Sequence, residues 1–410
     1  MNHPCKTVSL IALIALLSAG PAFTQTPSAE ATPEAKAAAP VAYVYVQTLK
    51  GINLYDAAAD GKLTLVKGSP FANVGQMEAV NGKYLVSLGT DYIHTYKIEP
   101  NGAPGKQASE INTQNYTGAE CGNTTGGGAV LDHTGQNLYI QLNDAQTIYR
   151  EPVCVAWQSY KISSDGALTY LGTAMDGPPT EYNGTTVPTF SGNDNFAYGR
   201  YIGDTNPFAL FSRSKDGLIS VTQNFASVDP VAPNPSDSYL PYATATDPTH
   251  HLAAELYPNA SQWPPPPPQL ASYTISDADG SIVSTNTWED MPTFEVTHAN
   301  GIRMSPSGKL LAVFGFTGLQ IFHFNGADPL TRYSSLLLPT IEISQLAWDN
   351  DNHLYAFSIE TCTNVCDPMG ELYVYTITPT SISQASGSPY KVENANVTVQ
   401  QQGLIVVPKL

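Results

Sequence analysis

The sequence predicts an all-β fold, and three observations carry that expectation. Tyrosine occupies 23 of the 410 positions, and 42% of residues are hydrophobic against 13% charged. Aromatic and β-branched side chains suit a pleated surface, and so apolar a chain is neither disordered nor fibrous. Turn residues are abundant, with 32 glycines and 32 prolines. Finally, one phrase returns four times: Asp60-Gly61-Lys62-Leu63-Thr64, Asp165-Gly166-Ala167-Leu168-Thr169, Asp216-Gly217-Leu218-Ile219-Ser220 and Asp279-Gly280-Ser281-Ile282-Val283. Each copy separates two strand-like segments. Asp-Gly in that setting reads as a tight hairpin, because Gly accepts the positive φ of a type I′ turn.

The N-terminal segment stands apart from these repeats. Lys6 precedes the apolar run Val8 to Ala19, and small residues follow up to Thr24. That is the pattern of a cleaved secretory leader, read as residues 1–24. The run of about 12 apolar residues falls short of the roughly 20 that a membrane span needs. Residues 25–40, rich in Ala, Pro, Thr and Glu, read as a tether, and 41–410 as the folded domain. The expected location is extracytoplasmic, periplasmic or secreted. Without the leader, four cysteines remain: Cys121, Cys154, Cys362 and Cys366. An even count in an oxidising compartment argues for two disulfides, with three pairings possible. Cys121–Cys154 with Cys362–Cys366 keeps each link inside one repeat. The spacing Cys-x-x-x-Cys fits neither a zinc ribbon nor a thioredoxin motif.

A second phrase, a turn followed by an apolar run, opens each unit. It reads Asp132-His133-Thr134-Gly135 before Leu138, Asp247 to His251 before Leu252, Ser305-Pro306-Ser307-Gly308 before Leu310, and Asp349 to His353 before Leu354. With Tyr43, Tyr84, Phe196 and Leu404, these runs make eight starts at a mean step of about 52 residues, the period of a four-stranded propeller blade. Seven steps predict a seven-bladed β-propeller of four-stranded antiparallel blades. Leu404 to Val407 then pairs into the blade that the N-terminus begins, so the ring closes through its N- and C-terminal strands and no outer edge is left open. Eight blades are the alternative count. Excursions between second and third strands, Asn143 to Gln158 and Tyr257 to Leu270, point to the face where such loops bind ligands.

These phrases, with Tyr43-Val44-Tyr45-Val46-Gln47-Thr48 and the endings Gly68-Ser69-Pro70-Phe71 and Gly387-Ser388-Pro389-Tyr390, carry a resemblance. Over about residues 41 to 410 the chain resembles the seven-bladed lactonase-type propellers, the YVTN-repeat or 6-phosphogluconolactonase-like proteins. The resemblance implies a toroid with a central channel and, in enzymatic members, opening of a sugar lactone without an obligatory metal. Those members often carry Pro-Arg-His before the second-strand turn. Here the equivalent stretches are Ala299-Asn300-Gly301 and Pro241-Tyr242-Ala243. With five arginines in a chain of net charge −17, the sequence argues against a phosphorylated substrate, and equally against nucleic acid or anionic lipid as partner.

The catalytic candidates are Glu295, His298 and Arg303, which approach the innermost strand of blade six. A base for water and a cation for the oxyanion are what lactone hydrolysis requires, with Glu295 orienting the imidazole. Glu120, in the Gly-rich stretch up to Gly128, and Glu181, beside Pro178-Pro179, are ligand-binding candidates if they face one another near the axis. That stretch lacks the Lys and following helix of a phosphate loop. Asp349 to Asn352 fails the calcium-loop spacing, so no metal and no cofactor are expected. His133, His250, His251 and His353 share the repeat turn and read as turn residues. The functional expectation is a monomeric scaffold binding a small-molecule or carbohydrate-type ligand, or a protein partner, on its loop face. A hydrolase opening a sugar lactone is the alternative.

Overall fold

In the computed structural model each repeat becomes an antiparallel sheet whose strands run outward from an axis. Residues 39–409 are described, except 73, 90, 114–123, 144–154, 176–183, 203–207, 223–225, 234–237, 260–265, 351, 360–368 and 396–402. Among them there are strands, turns and no α-helix, hence no helix long and apolar enough to cross a membrane. The leader, the tether up to residue 38, Glu120, Glu181 and all four cysteines considered for disulfides lie outside the described residues.

Seven sheets form the ring. In blade one the C-terminal strand Leu404–Pro408 pairs antiparallel with Ala42–Thr48, Tyr45 opposite Ile405, and Gly51–Ala57 and Leu63–Leu65 complete the sheet. The expected closure is therefore the observed one, and it gives blade one its innermost strand. The inner strands of blades four to six are the broken pair Gly184–Thr185 and Thr189–Phe190, then Ser238–Thr246, then Ala299–Met304. Their second strands are Phe196–Ile202, His251–Asn259 and Leu310–Gly315. Blade five gains a parallel outer strand, Ser227–Val228, from the segment that precedes it.

Period-two alternation in the second strands fills the spaces between blades. Leu252, Ala254 and Leu256 pack toward blade four, with Tyr198 and Leu210, while Ala253 packs toward blade six, with Ile302 and Val313. Seven apolar clusters of this kind occupy the seven inter-blade spaces. Burial of apolar surface between neighbouring sheets, at about 25 cal/mol per Å², is what holds the ring together.

The recurrent hairpin differs from the expected type I′ turn. Ala58 N–H bonds to Lys62 O and Gly61 N–H to Ala58 O, with Gly61 at φ 79° and Asp60 outside the left-handed region. At Gly61, Gly166 and Gly217 this is a type I turn closed by a glycine bulge, a three-residue loop in which only Gly needs positive φ, whereas at Gly280 the loop is one residue longer, with Ser276 N–H bonded to Ser281 O and Gly280 N–H to Ser276 O. Asp60 Oδ1 instead accepts the Lys62 amide. The same glycine docks each blade on its predecessor: a Cβ on Gly166 would stand 2.4 Å from the Tyr84 ring, whose hydroxyl donates to Ser164 O. At the turn preceding the second strand, Asp132, Asp247 and Asp349 accept backbone N–H groups four or five residues ahead. His251 and His353 bond the same carboxylates through Nδ1, and His133 bonds Asp194 of the next blade. His251 and His353 thus serve their own turns, and His133 ties its turn to the neighbouring blade.

Candidate functional site

A cleft of about 550 Å³ opens where blades four, five and six meet. Arg200, Tyr242, Tyr257, His298, Asn300 and Phe316 line it. Two of them are aimed by the same device. The inner strand of blade five inserts Tyr242 between its pairings Pro241–Leu256 and Ala243–Glu255, and that of blade six inserts Asn300 between Ala299–Gly315 and Gly301–Phe314. A bulged residue is released from the alternation of its strand and turns a side chain that would otherwise follow it. Asn300 uses the freedom to donate from Nδ2 to Ile343 O of blade seven (2.9 Å) while lining the cleft. His298, just before that bulge, sits at φ 46°, a left-handed conformation uncommon for a side chain with Cβ, and its ring lies 5.3 Å from Phe316. Strain of this sort persists where surrounding structure fixes it, and it concentrates at functional sites.

Behind this wall lies Glu255, fully buried in the second strand of blade five. Neither carboxyl oxygen has a hydrogen bond of normal geometry. Burial pushes its pKa up to about 8, against the opposing pull of the Tyr257 hydroxyl and the Arg200 guanidinium, so the carboxyl is mostly protonated at neutral pH. Burial, followed by the charge of Glu255, raises Tyr257 as well. The Arg200 guanidinium lies 4.2 Å from the centre of the Tyr242 ring, and its Nε has no acceptor. Tyr242 and Tyr257 stand 5.3 Å apart.

The repeat itself supplies a comparison for Glu255. In blades three to six, an amide near the end of the third strand bonds the residue preceding the second strand: Ile162 to Gln136, Arg213 to Asn195, Ile275 to His250, Phe324 to Lys309. Five residues beyond that bond stand Gln141, Arg200, Glu255 and Phe314. Gln141 donates its side-chain amide to Thr185 O on the inner strand of the next blade, a tie between neighbouring sheets. Glu255 occupies the same place and makes no such bond. Its burial is therefore not repaid by a structural tie, and an unpaired buried acid is among the costlier features a fold can keep.

The three catalytic candidates do not come together. His298 lines the cleft, whereas Glu295 forms an exposed ion pair with Arg332 (2.7 Å) and receives no bond from the imidazole. The Arg303 guanidinium donates to Ile302 O and lies 5.7 Å from the Phe314 ring. Its side chain is exposed on the inner strand of blade six, and desolvation by the surrounding protein lowers its pKa. Residues three to eight apart around a bend point in different directions, which sequence proximity hides. Arg200, Glu255, Tyr257 and Phe316 escaped the sequence reading. Only Glu255 left a signal there, as a lone charge inside the apolar run Leu252 to Leu256. A second buried acid, Glu78, is the bulged residue of the inner strand of blade two, raised to about 7 by burial; the Gln76 side chain bonds its Oε1, and its Oε2 is left without a bond of normal geometry.

No family model matches the chain, and no curated protein matches it in sequence. Among solved structures it is similar to the periplasmic gluconolactonase of Pseudomonas aeruginosa, at 13% identity and a TM-score of 0.53, over 86% of this chain and 99% of that one. It is also similar to a candidate 6-phosphogluconolactonase of Bacteroides fragilis, at 14% identity and a TM-score of 0.52, over 86% and 96% of the two chains. At such identities the likeness concerns the fold alone, a seven-bladed ring, and the YVTN-repeat resemblance has no sequence match behind it.

Proposed function

We propose that the cleft between blades four and six binds a small, uncharged sugar-type ring, and that the chain works as a ligand-binding propeller outside the cytoplasm. The observation that carries the reading is Glu255, buried beside Tyr257 and Arg200 with no hydrogen bond of normal geometry. Aromatic faces on Tyr242, Tyr257, His298 and Phe316 suit the C–H surface of a sugar, and Asn300 and Arg200 supply hydrogen bonds to its hydroxyls. A single guanidinium is a weak match for a phosphate dianion, which two or more cations ordinarily clamp. The leader-like residues 1–24 and the periplasmic neighbour support the location.

A second reading, opening of a lactone in the same cleft, is favoured by the protonated state of Glu255. Water would add to the ring carbonyl carbon while His298 takes its proton, and Arg200 would face the developing oxyanion. As the bond from acyl carbon to ring oxygen breaks, Tyr257 would protonate the leaving oxygen and recover a proton from Glu255. The product acid ionises, and its proton and the one on His298 return to Glu255 and solvent, so one lactone and one water give one hydroxy acid. Acid release from glucono-δ-lactone, followed by titration at constant pH, separates the readings. Release above the uncatalysed rate that falls at least tenfold in Tyr257→Phe supports hydrolysis; a rate equal to buffer, alongside measurable binding, leaves the ligand-binding reading alone.

A further inference from the structure

The aromatic side chains of the cleft fall into two pairs on different blades. Tyr242 and Tyr257 belong to blade five, with ring centres 5.3 Å apart and planes at 57°. His298 and Phe316 belong to blade six, again 5.3 Å apart, with planes at 48°. Only the first pair adjoins the charged groups: Arg200 rests on Tyr242, and Glu255 stands behind Tyr257. The second pair has no charged neighbour among the cleft residues and ends on Phe316, which is 49% exposed at the tight turn between the second and third strands of blade six. Phe316 rests against His298 and leaves about half of its surface open beside the cleft, while Leu311, Val313 and Phe322 fill that blade's core without it. The volume points the same way. At about 550 Å³ the cleft equals the liquid share of about eighteen water molecules, more than one sugar ring fills.

We propose that the cleft takes a two-ring ligand, a disaccharide-sized sugar lactone or its close analogue, with one ring among Arg200, Tyr242 and Tyr257 and the second stacked on Phe316. The inference rests on the sugar-binding reading above and adds to it the size of the ligand and a residue that selects for size. Phe316 is then a specificity residue and takes no part in chemistry.

The test uses hydrolytically stable mimics, glucono-δ-lactam and cellobiono-δ-lactam, titrated calorimetrically into the full chain and into Phe316→Ala. The two-ring mimic should bind about tenfold more tightly than the one-ring mimic, a difference of about 1.4 kcal/mol. Phe316→Ala should bring the two within about twofold by weakening only the larger, and its thermal midpoint should match that of the parent because the side chain is half exposed. Equal affinity of the two mimics in the parent, or a loss in Phe316→Ala that is the same for both, overturns the two-ring inference and leaves the cleft reading intact. Failure of both mimics to bind overturns the cleft reading itself, and the inference with it.

Discussion

Replacing Glu255 by Gln should stabilise the protein, and increasingly so as the pH rises. Gln keeps the shape and removes the ionisable proton. The parent carboxyl has a folded pKa of about 8 against an ordinary value of 4.5, a gap that at about 1.36 kcal/mol per unit gives just under 5 kcal/mol. The sign follows from which state binds more protons. Between pH 4.5 and 8 the folded protein holds the Glu255 proton and the unfolded chain has released it, so stability is complete below that window and falls as pH rises through it. Of the total, about 2 to 3 kcal/mol is lost between pH 6 and pH 9. Glu78 titrates in the same direction, but it is common to both proteins and cancels in the difference. Urea unfolding of parent and Glu255→Gln at pH 6, 7, 8 and 9 measures the effect, provided both transitions share one slope. A stability difference that stays constant over those four pH values would refute the argument, because it would mean that the carboxyl is already ionised or already satisfied in the folded state.

Two further outcomes test the ring. Trp157, fully buried, donates to Thr185 Oγ1 (3.1 Å) and meets Phe211 edge to face at 5.6 Å, so it joins blades three and four; Trp157→Ala should cost about 3 to 5 kcal/mol in urea unfolding, and a loss under about 1 kcal/mol would contradict this role. Truncation after Gly403 removes the inner strand of blade one and bares the edge of Ala42–Thr48; light scattering should reveal concentration-dependent association, and a truncated chain that stays monomeric at the thermal midpoint of the parent would contradict closure by that strand.

Much of the fold was legible because a repeat writes the same physics several times. The Asp-Gly hairpins fixed the unit, yet the turn proved to be a type I turn with a glycine bulge, since a dipeptide cannot reveal whether one or both of its residues take positive φ. Nor could it reveal the second constraint on that glycine, the neighbouring blade at Gly166 and Tyr84, because the contact spans about eighty residues. His251 and His353 were correctly read as turn residues, since Asp247 and Asp349 stand four residues before them, whereas His133 bonds Asp194 of the next blade. The trio Glu295, His298 and Arg303 dispersed because the bulge at Asn300 and the left-handed His298 redirect the chain, and neither has a signature in composition or spacing.

What marks the cleft is departure from the repeat, and the departures coincide. At one strand position Gln141 bonds the adjacent sheet and Phe314 packs, both ordinary tasks of an inter-blade residue. The two members of that series that leave polar atoms unbonded, Arg200 and Glu255, lie on adjacent blades and flank the single inner strand that carries Tyr242. Bulges in inner strands are not confined to this region, since blade two has one at Glu78, so a bulge alone does not define a site. One Glu78 oxygen accepts a bond from the Gln76 side chain, however, whereas neither Glu255 oxygen has a bond of normal geometry. A bonded Gln at position 255, like the one at 141, would serve stability alone. An acid there carries a cost that rises with pH, and that cost is the ground on which the cleft is proposed as a ligand site.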